Sequence, residues 1–387
     1  MYKVSVVLGI RPDFIRTSKV LKLLDAHQEV RLTIIHTGQH YDANLNDVFF
    51  NEMKIPKVTH QLDTRGKNHN EQHSKLIAQL SDVLEQIRPD CVVFLGDANA
   101  TIGCIAPLKL GIPIAHIEAG MRSYNWEMPE ERNRVIIDRV ADVLYAYQDD
   151  YRVQLIQEGI PAHKIVVTGN VIVDVIEEFK FAHSNWEFKE ISPNRYALMT
   201  LHRNEHMTNP EFAQKIMDDV GQATGVDELN IPTVLIEMPR LKSLGLKYPP
   251  NFIVIPPVGF FDFIKMERAA KIEYTDSGTN QEVASYLGTP CVVTRGCTER
   301  PECGDCGTTV LAYPGNIVAA TYHVLGTAHN KDFTLGDGKS SSRIVDDLVD
   351  RLRNNFYREQ SPALDIFKLN HFKMYNRHTV SGFNYDY

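Results

Sequence analysis

Residues 70–97 read NEQHSKLIAQLSDVLEQIRPDCVVFLGD. Leu76, Leu80 and Leu84 recur at helical spacing, so a helix is expected over residues 70–90. The segment that follows, CVVFLGD (91–97), is apolar without alternation and ends in a Gly turn that carries Asp97. A strand of that kind is buried on both faces, as in a parallel sheet covered by helices. Helix into strand, with a polar turn at the strand's carboxyl end, is the unit that decides the fold class.

The same unit recurs in both directions. KVSVVLG (3–9), RLTIIHTG (31–38), IPIAHIEAG (112–120) and DVLYAY (142–147) read as strands. FIRTSKVLKLLDAH (14–27), ERNRVIIDRVA and DYRVQLIQEG read as helices around them. The pattern then starts again with the strand KIVVTGN (164–170) and the helix VIVDVIEEFKFAH. Further strands are YALMTLH (196–202), TVLIEM (233–238), FIVIPP (252–257), KIEYT (271–275) and PCVVTR (290–295). PEFAQKIMDDVGQAT, FFDFIKMERAA and TNQEVASYLG are the helices between them, and RIVDDLVDRLRNNF is a late one. The expectation is an α/β protein of two Rossmann-like, doubly wound parallel-sheet domains facing a cleft. Residues 1–169 form the first domain and 170–360 the second, with a hinge near Gly169–Asn170 and a tail, 361–387, that packs back on the first.

A length of 387 residues suits two domains rather than one. With 43% hydrophobic and 23% charged residues the composition is that of a globular enzyme. A net charge of −8 gives no reason to expect nucleic acid or an anionic membrane as partner, and leaves room for a local basic site. No run approaches the ~20 apolar residues of a membrane span. MYKVSVVLGIRPDF lacks the pattern of a signal peptide, and a cytoplasmic protein is expected. Cys91, Cys104 and Cys291 lie in apolar runs and read as core. CTERPECGDC places three Cys close together, one short of the usual zinc set, so no metal is expected.

Open parallel sheets bind ligands at the carboxyl ends of their strands. That rule sorts the polar residues. LGIRPDFIR (8–16) is a strand, a turn and a helix entry, where Arg11 and Arg16 would add positive charge to a helix N-terminus. Asp97 and Glu118 end successive strands, and a carboxylate in IAHIEAG needs a partner or a function. Glu130 and Glu131 open a helix, where acidic residues are favourable in any case. His202 and Arg203 follow a strand of the second half. In YTDSGTNQEVA, Ser277, Gly278 and Thr279 could hold a diphosphate or simply cap a helix. Arg300, beside Glu299 and Glu302, could clamp phosphate or form a surface salt bridge. Together these place phosphate-type donors in the second half and carboxylates in the first. A nucleoside diphosphate held by one domain, with acid–base chemistry on its other end, is the reading.

The ordered motifs GIRPD, HTGQHYD, GDAN, HIEAGMRS, PEERNR, TLHRNE, DSGTNQE and TERPE make the chain resemble the UDP-N-acetylglucosamine 2-epimerases of the GT-B fold over nearly its whole length. The resemblance implies that Asp97, Glu118 and Glu130 are the catalytic carboxylates and His202 the catalytic-site histidine. It implies substrate contacts from Arg11, Arg16, Ser277, Gly278 and Arg300, with Phe263 at the base-stacking position. The departures are specific. Arg16 stands for the family's Lys, Thr279 for a Gly, and Val283 for the Glu that grips the ribose hydroxyls. Met238 and Asp42 replace the His and Gln of the allosteric pocket.

The reaction implied is epimerisation at C2 of a UDP-N-acetylhexosamine without net hydrolysis, through loss of UDP to a glycal and its re-addition. The sugar would be UDP-GlcNAc, or a deoxy or diacetamido-uronate analogue, and no cofactor would be needed. A homodimer is implied as well. Alternatives from the same residues are a hydrolysing 2-epimerase, a GT-B glycosyltransferase, and a non-catalytic nucleotide-sugar binding protein.

Overall fold

A computed structural model describes residues 1–38, 53–179, 191–225, 229–330 and 334–354. The chain divides into Met1–Val345 and Asp346–Tyr387. The described residues of the second unit complete the helix Ser340–Arg353. The expected tail, 361–387, and Asp42 lie outside the described residues.

Within Met1–Val345 there are two parallel sheets. The first contains β1 (Tyr2–Leu8), β2 (Val30–His36), β3 (His60–Gln61), β4 (Cys91–Leu95), β5 (Ile114–Ala119), β6 (Val143–Ala146) and β7 (Ile165–Val167), in the order β3-β2-β1-β4-β5-β6-β7. The second contains β8 (Ala197–Thr200), β9 (Thr233–Ile236), β10 (Phe252–Ile255), β11 (Ile272–Thr275), β12 (Cys291–Val293) and β13 (Thr309–Leu311), in the order β10-β9-β8-β11-β12-β13. In both sheets the strand order reverses beside the first strand, the doubly wound arrangement whose switch point is a ligand crevice. All five residues of β4 are buried, as its unbroken apolar run requires.

The two α/β halves expected from periodicity are therefore present, and the structure adds detail to them. KIVVTGN, the last strand before the expected hinge near Gly169–Asn170, is the edge strand of the first sheet, because β7 pairs with β6. The helix after it, Val171–Phe179, packs against both Arg11–Ala26 of the first half and Gly278–Leu287 of the second. β3 and β13, of two and three residues, add an edge strand to each sheet that the periodicity did not announce. Runs that short carry no measurable period.

Candidate active site

The helix Arg11–Ala26 begins directly after β1, with Pro12 in its first turn. Asp13 closes that turn by accepting from the Gly9 and Ile10 N–H groups at 3.0 and 3.1 Å. Burial pushes the Asp13 carboxyl up to about 6, against the pull of Arg16. Arg11 is half-buried at the helix start. Arg16 is buried one turn further on and donates to Glu118.

Glu118 sits at the end of β5, where the pairing with β6 shifts register between Ile117 and Ala119. Its φ is +73°, a left-handed conformation that costs a non-glycine residue of order 1–3 kcal/mol. Bulges of this kind re-aim side chains next to active sites. Here the carboxylate, 4% exposed, is turned between two guanidiniums, with Arg16 on Oε2 and Arg300 Nη2 3.1 Å from Oε1. The Tyr147 hydroxyl lies 3.4 Å from Oε2. Gly96, at φ +66°, ends the neighbouring strand, and a Cβ there would come within 3.1 Å of Arg16 Nη2 and 3.6 Å of Glu118 Oε1.

The strand under Glu118 is locked by His116, which is fully buried, with Nδ1 2.6 Å from Asp138 and Nε2 2.8 Å from the Gly96 carbonyl. Asp138 also accepts from Arg122 at 2.7 Å and from the Gly120 N–H at 3.1 Å. This explains the ionisable groups that follow an apolar strand. His116, Glu118, Arg122, Glu131, Arg134 and Asp138 are all buried and held by hydrogen-bonding or charged partners. Buried charge is tolerated only when so paired.

Glu131 and Glu130 are neighbours with different surroundings. Glu131 accepts from the Ser123 N–H, the Ser123 hydroxyl and the Tyr124 N–H, each at 2.9 Å, and from Arg134. It holds the loop that leads into the helix Pro129–Val140. Glu130 is half-buried and its charge acts on Arg203 of the second half. Asp97 accepts from Arg134. Burial alone would raise its pKa, but Arg134 beside it holds the carboxyl below the usual range.

The second half meets these groups through the turn Thr298–Arg300. Arg300, 3% exposed, reaches Glu118, has its Nε 2.8 Å from Glu282, and donates to Glu299. Glu299 lies among four arginines. Arg300 donates to it, Arg295 is 3.1 Å away, Arg203 3.5 Å and Arg134 3.9 Å. Despite burial, which works the other way, these guanidiniums hold its carboxyl well below the ordinary range. The bland alternative for Arg300, a surface salt bridge, does not describe this buried junction. Gly278 is what lets Arg300 pass, since a Cβ there would lie 2.4 Å from Arg300 Nη1. The turn that carries Ser277 and Gly278 is thus packed on the same guanidinium that pairs with Glu118.

Ser277 caps the helix Gly278–Leu287, accepting from the Asn280 N–H at 3.3 Å, and Thr279 is half-buried in its first turn. Val283 is 1% exposed, and the adjacent Glu282 points at Arg300. Phe263 packs against the core formed by Tyr196, Leu198 and Met266. Met238 is exposed at the start of the short helix Pro239–Lys242. His202, exposed, has its Nδ1 3.0 Å from Asp276, which is buried at the end of β11.

The structure therefore joins Arg16, Glu118 and Arg300 directly. Asp97 joins them through Arg134 and Glu299. Arg134 can be read from the sequence as a cation near the carboxylates, and Arg203, Asp276 and Glu299 as ionisable residues after strands or beside Arg300, but which of them meet, and that Glu282 joins them, cannot. For Glu282 the signal available is an acidic residue inside an otherwise uncharged helix. Among the described residues no group of His, Cys, Asp and Glu is arranged to hold a metal ion, and no helix is long and apolar enough to cross a membrane.

Residues 22–349 match the family model described as UDP-N-acetylglucosamine 2-epimerase. A protein of Methanococcus maripaludis named UDP-N-acetylglucosamine 2-epimerase is 36% identical, over 89% of this chain and 98% of its own length. A Pseudomonas aeruginosa protein named UDP-2,3-diacetamido-2,3-dideoxy-D-glucuronate 2-epimerase is also 36% identical, over 90% and 99%. The crystal structure of Methanocaldococcus jannaschii UDP-GlcNAc 2-epimerase in complex with UDP-GlcNAc and UDP superposes with a TM-score of 0.84 at 34% identity, over 90% of this chain and 99% of that one. With its ordered motifs, its two doubly wound sheets and a match to the family model over most of its length, the chain belongs to the UDP-N-acetylglucosamine 2-epimerase family.

Proposed function

We propose that the protein interconverts C2 epimers of a UDP-N-acetylhexosamine without net hydrolysis. The observation that carries this reading is the junction of Glu118 with Arg16 and Arg300, which brings a carboxylate of the first half onto cations of both halves. The C2 proton of an N-acetylhexosamine has no carbonyl on a neighbouring carbon to acidify it. Breaking the C1–O bond first makes C1 oxocarbenium-like and the C2–H acidic. A carboxylate then takes that proton, leaving a glycal and UDP. Re-addition of UDP at C1, with a proton delivered to C2 on the other face, gives the epimer.

Arg11, Arg16 and Arg300, with the Ser277–Thr279 turn, are the groups that would stabilise the departing diphosphate. A diphosphate among these guanidiniums competes with Glu118 for them. Its arrival draws those guanidiniums away from that carboxylate and frees it to face the sugar. Asp97, Glu118 and Glu130 would carry the protons and His202 would assist at the leaving group. Phe263 is assigned to the base. The residue ranges 1–169 and 170–360 are the two domains in this reading. The assembly is a homodimer in the cytoplasm, which light scattering and fractionation test.

The substrate is UDP-GlcNAc or the diacetamido-glucuronate analogue, since relatives named for each are equally similar to this chain. Incubation with each sugar in D₂O tests both reaction and substrate. Deuterium at C2 together with the epimeric UDP-sugar is the expected result. Release of UDP and free sugar would instead mean the hydrolysing reaction, and no exchange with either sugar would overturn the proposal.

A further inference from the structure

Asp276 is fully buried at the end of β11, and its two oxygens are used unequally. Oδ2 accepts from the His202 N–H at 2.8 Å and the Arg203 N–H at 2.7 Å, and lies 2.8 Å from Nδ1 of His206. Oδ1 accepts no aligned hydrogen bond and lies 3.0 Å from Nδ1 of His202. Burial alone would raise the pKa of this carboxyl, but His202 and His206 beside it hold it far below the usual range. An ionised carboxylate can only accept hydrogen bonds. His206 is buried and stacked on Phe212, with ring centroids 5.6 Å apart, so it pins the carboxylate from behind. His202 is 45% exposed at its side chain. One of its ring nitrogens faces Asp276, while the partly exposed ring follows the end of β8.

From this asymmetry we infer that Asp276 is a positioning residue for His202. It selects the tautomer with the proton on Nδ1 and leaves Nε2 as the atom that takes a proton from, or returns it to, the reacting molecule. A carboxylate oxygen 3.0 Å from one ring nitrogen repels a lone pair there and favours the N–H, which leaves the lone pair on the other nitrogen. His206 keeps the carboxylate from turning. The inference rests on the proposed participation of His202 in the epimerisation.

The asymmetry also dictates what Asp276→Asn does. Three donors require an oxygen at the Oδ2 position. The amide NH₂ must therefore occupy the Oδ1 position, where it donates to Nδ1 of His202 and forces that proton onto Nε2. The wrong tautomer then faces the crevice.

Steady-state kinetics on whichever of the two UDP-sugars the wild type epimerises, and ¹⁵N NMR of the histidine rings, on the full chain, form the test. Asp276→Asn should lower kcat by about 10²–10⁴-fold with KM nearly unchanged, and should move the neutral His202 ring from the Nδ1–H to the Nε2–H form. A loss expressed in KM alone, or unchanged kcat, overturns the inference. So does a wild-type spectrum in which neutral His202 already carries its proton on Nε2, and that measurement stands even if the variant does not fold. His202→Gln separates the two readings. If it keeps full kcat, the participation of His202 is wrong. If it loses kcat while Asp276→Asn does not, only the positioning role falls.

Discussion

Nη2 of Arg300, from the second half of the molecule, lies 3.1 Å from Oε1 of Glu118, at the end of a central strand of the first half. Neither residue is solvated, since they are 3% and 4% exposed. The pair therefore ties the geometry of the candidate base to the position of the other sheet.

The first consequence concerns Glu118→Gln. The amide keeps the shape and removes the base. Exchange of the C2 proton in D₂O should fall by at least about 10²-fold, the usual contribution of one acid–base group. UDP should still bind when titrated calorimetrically, because Arg16 and Arg300 lose a competing anion. Exchange at the wild-type rate would remove Glu118 from the mechanism.

Arg300→Met leaves Glu118, Glu282 and Glu299 without their shared cation. Removing one member of a buried ion-pair group typically costs about 3–5 kcal/mol, because the remaining charges stay desolvated. Urea unfolding should show that loss. Arg65→Met, at an exposed pair with Asp63, is the control and should leave the midpoint almost unmoved.

Gly278→Ala tests packing at the same place. The added Cβ meets Arg300 Nη1 at 2.4 Å, and Arg300 is pinned by three carboxylates. We expect a loss of about 1–3 kcal/mol, as for overpacking in a core, accompanied by lowered kcat. Gly326→Ala, in a helix and with nothing within 4 Å of the added Cβ, should leave the rate unchanged and raise stability by about 0.4–1 kcal/mol.

Glu302 gives a pH prediction. Burial pushes its carboxyl up to about 7 from the ordinary 4.5, and the Tyr151 hydroxyl bonds to it. In the folded chain it stays protonated between these values, while in the unfolded chain it ionises near the lower one. Its contribution to stability is thus complete at acidic pH and is lost as pH rises from about 4.5 to about 7. The slope from one such proton is at most about 1.4 kcal/mol per pH unit. Unfolding free energy measured from pH 5 to 8 should fall less steeply in Glu302→Gln than in the wild type. Identical slopes would show that Glu302 does not carry a raised pKa.

The sequence by itself determined the two α/β halves and placed Asp97, Glu118, His202 and Asp276 at the carboxyl ends of strands. Apolar periodicity and turn residues are local properties, so they can be read along the chain. Only the tertiary structure decided which charges meet. Arg300 and Glu118 are separated by 182 positions, and Glu299 collects arginines from both halves. It also paired Ile165–Val167 with β6 as the edge of the first sheet. The physical reason is the same in each case. A side chain's charge is written in its own residue, whereas its partner is fixed by distance in space, which depends on how the sheets stack and how a bulge turns one carboxylate.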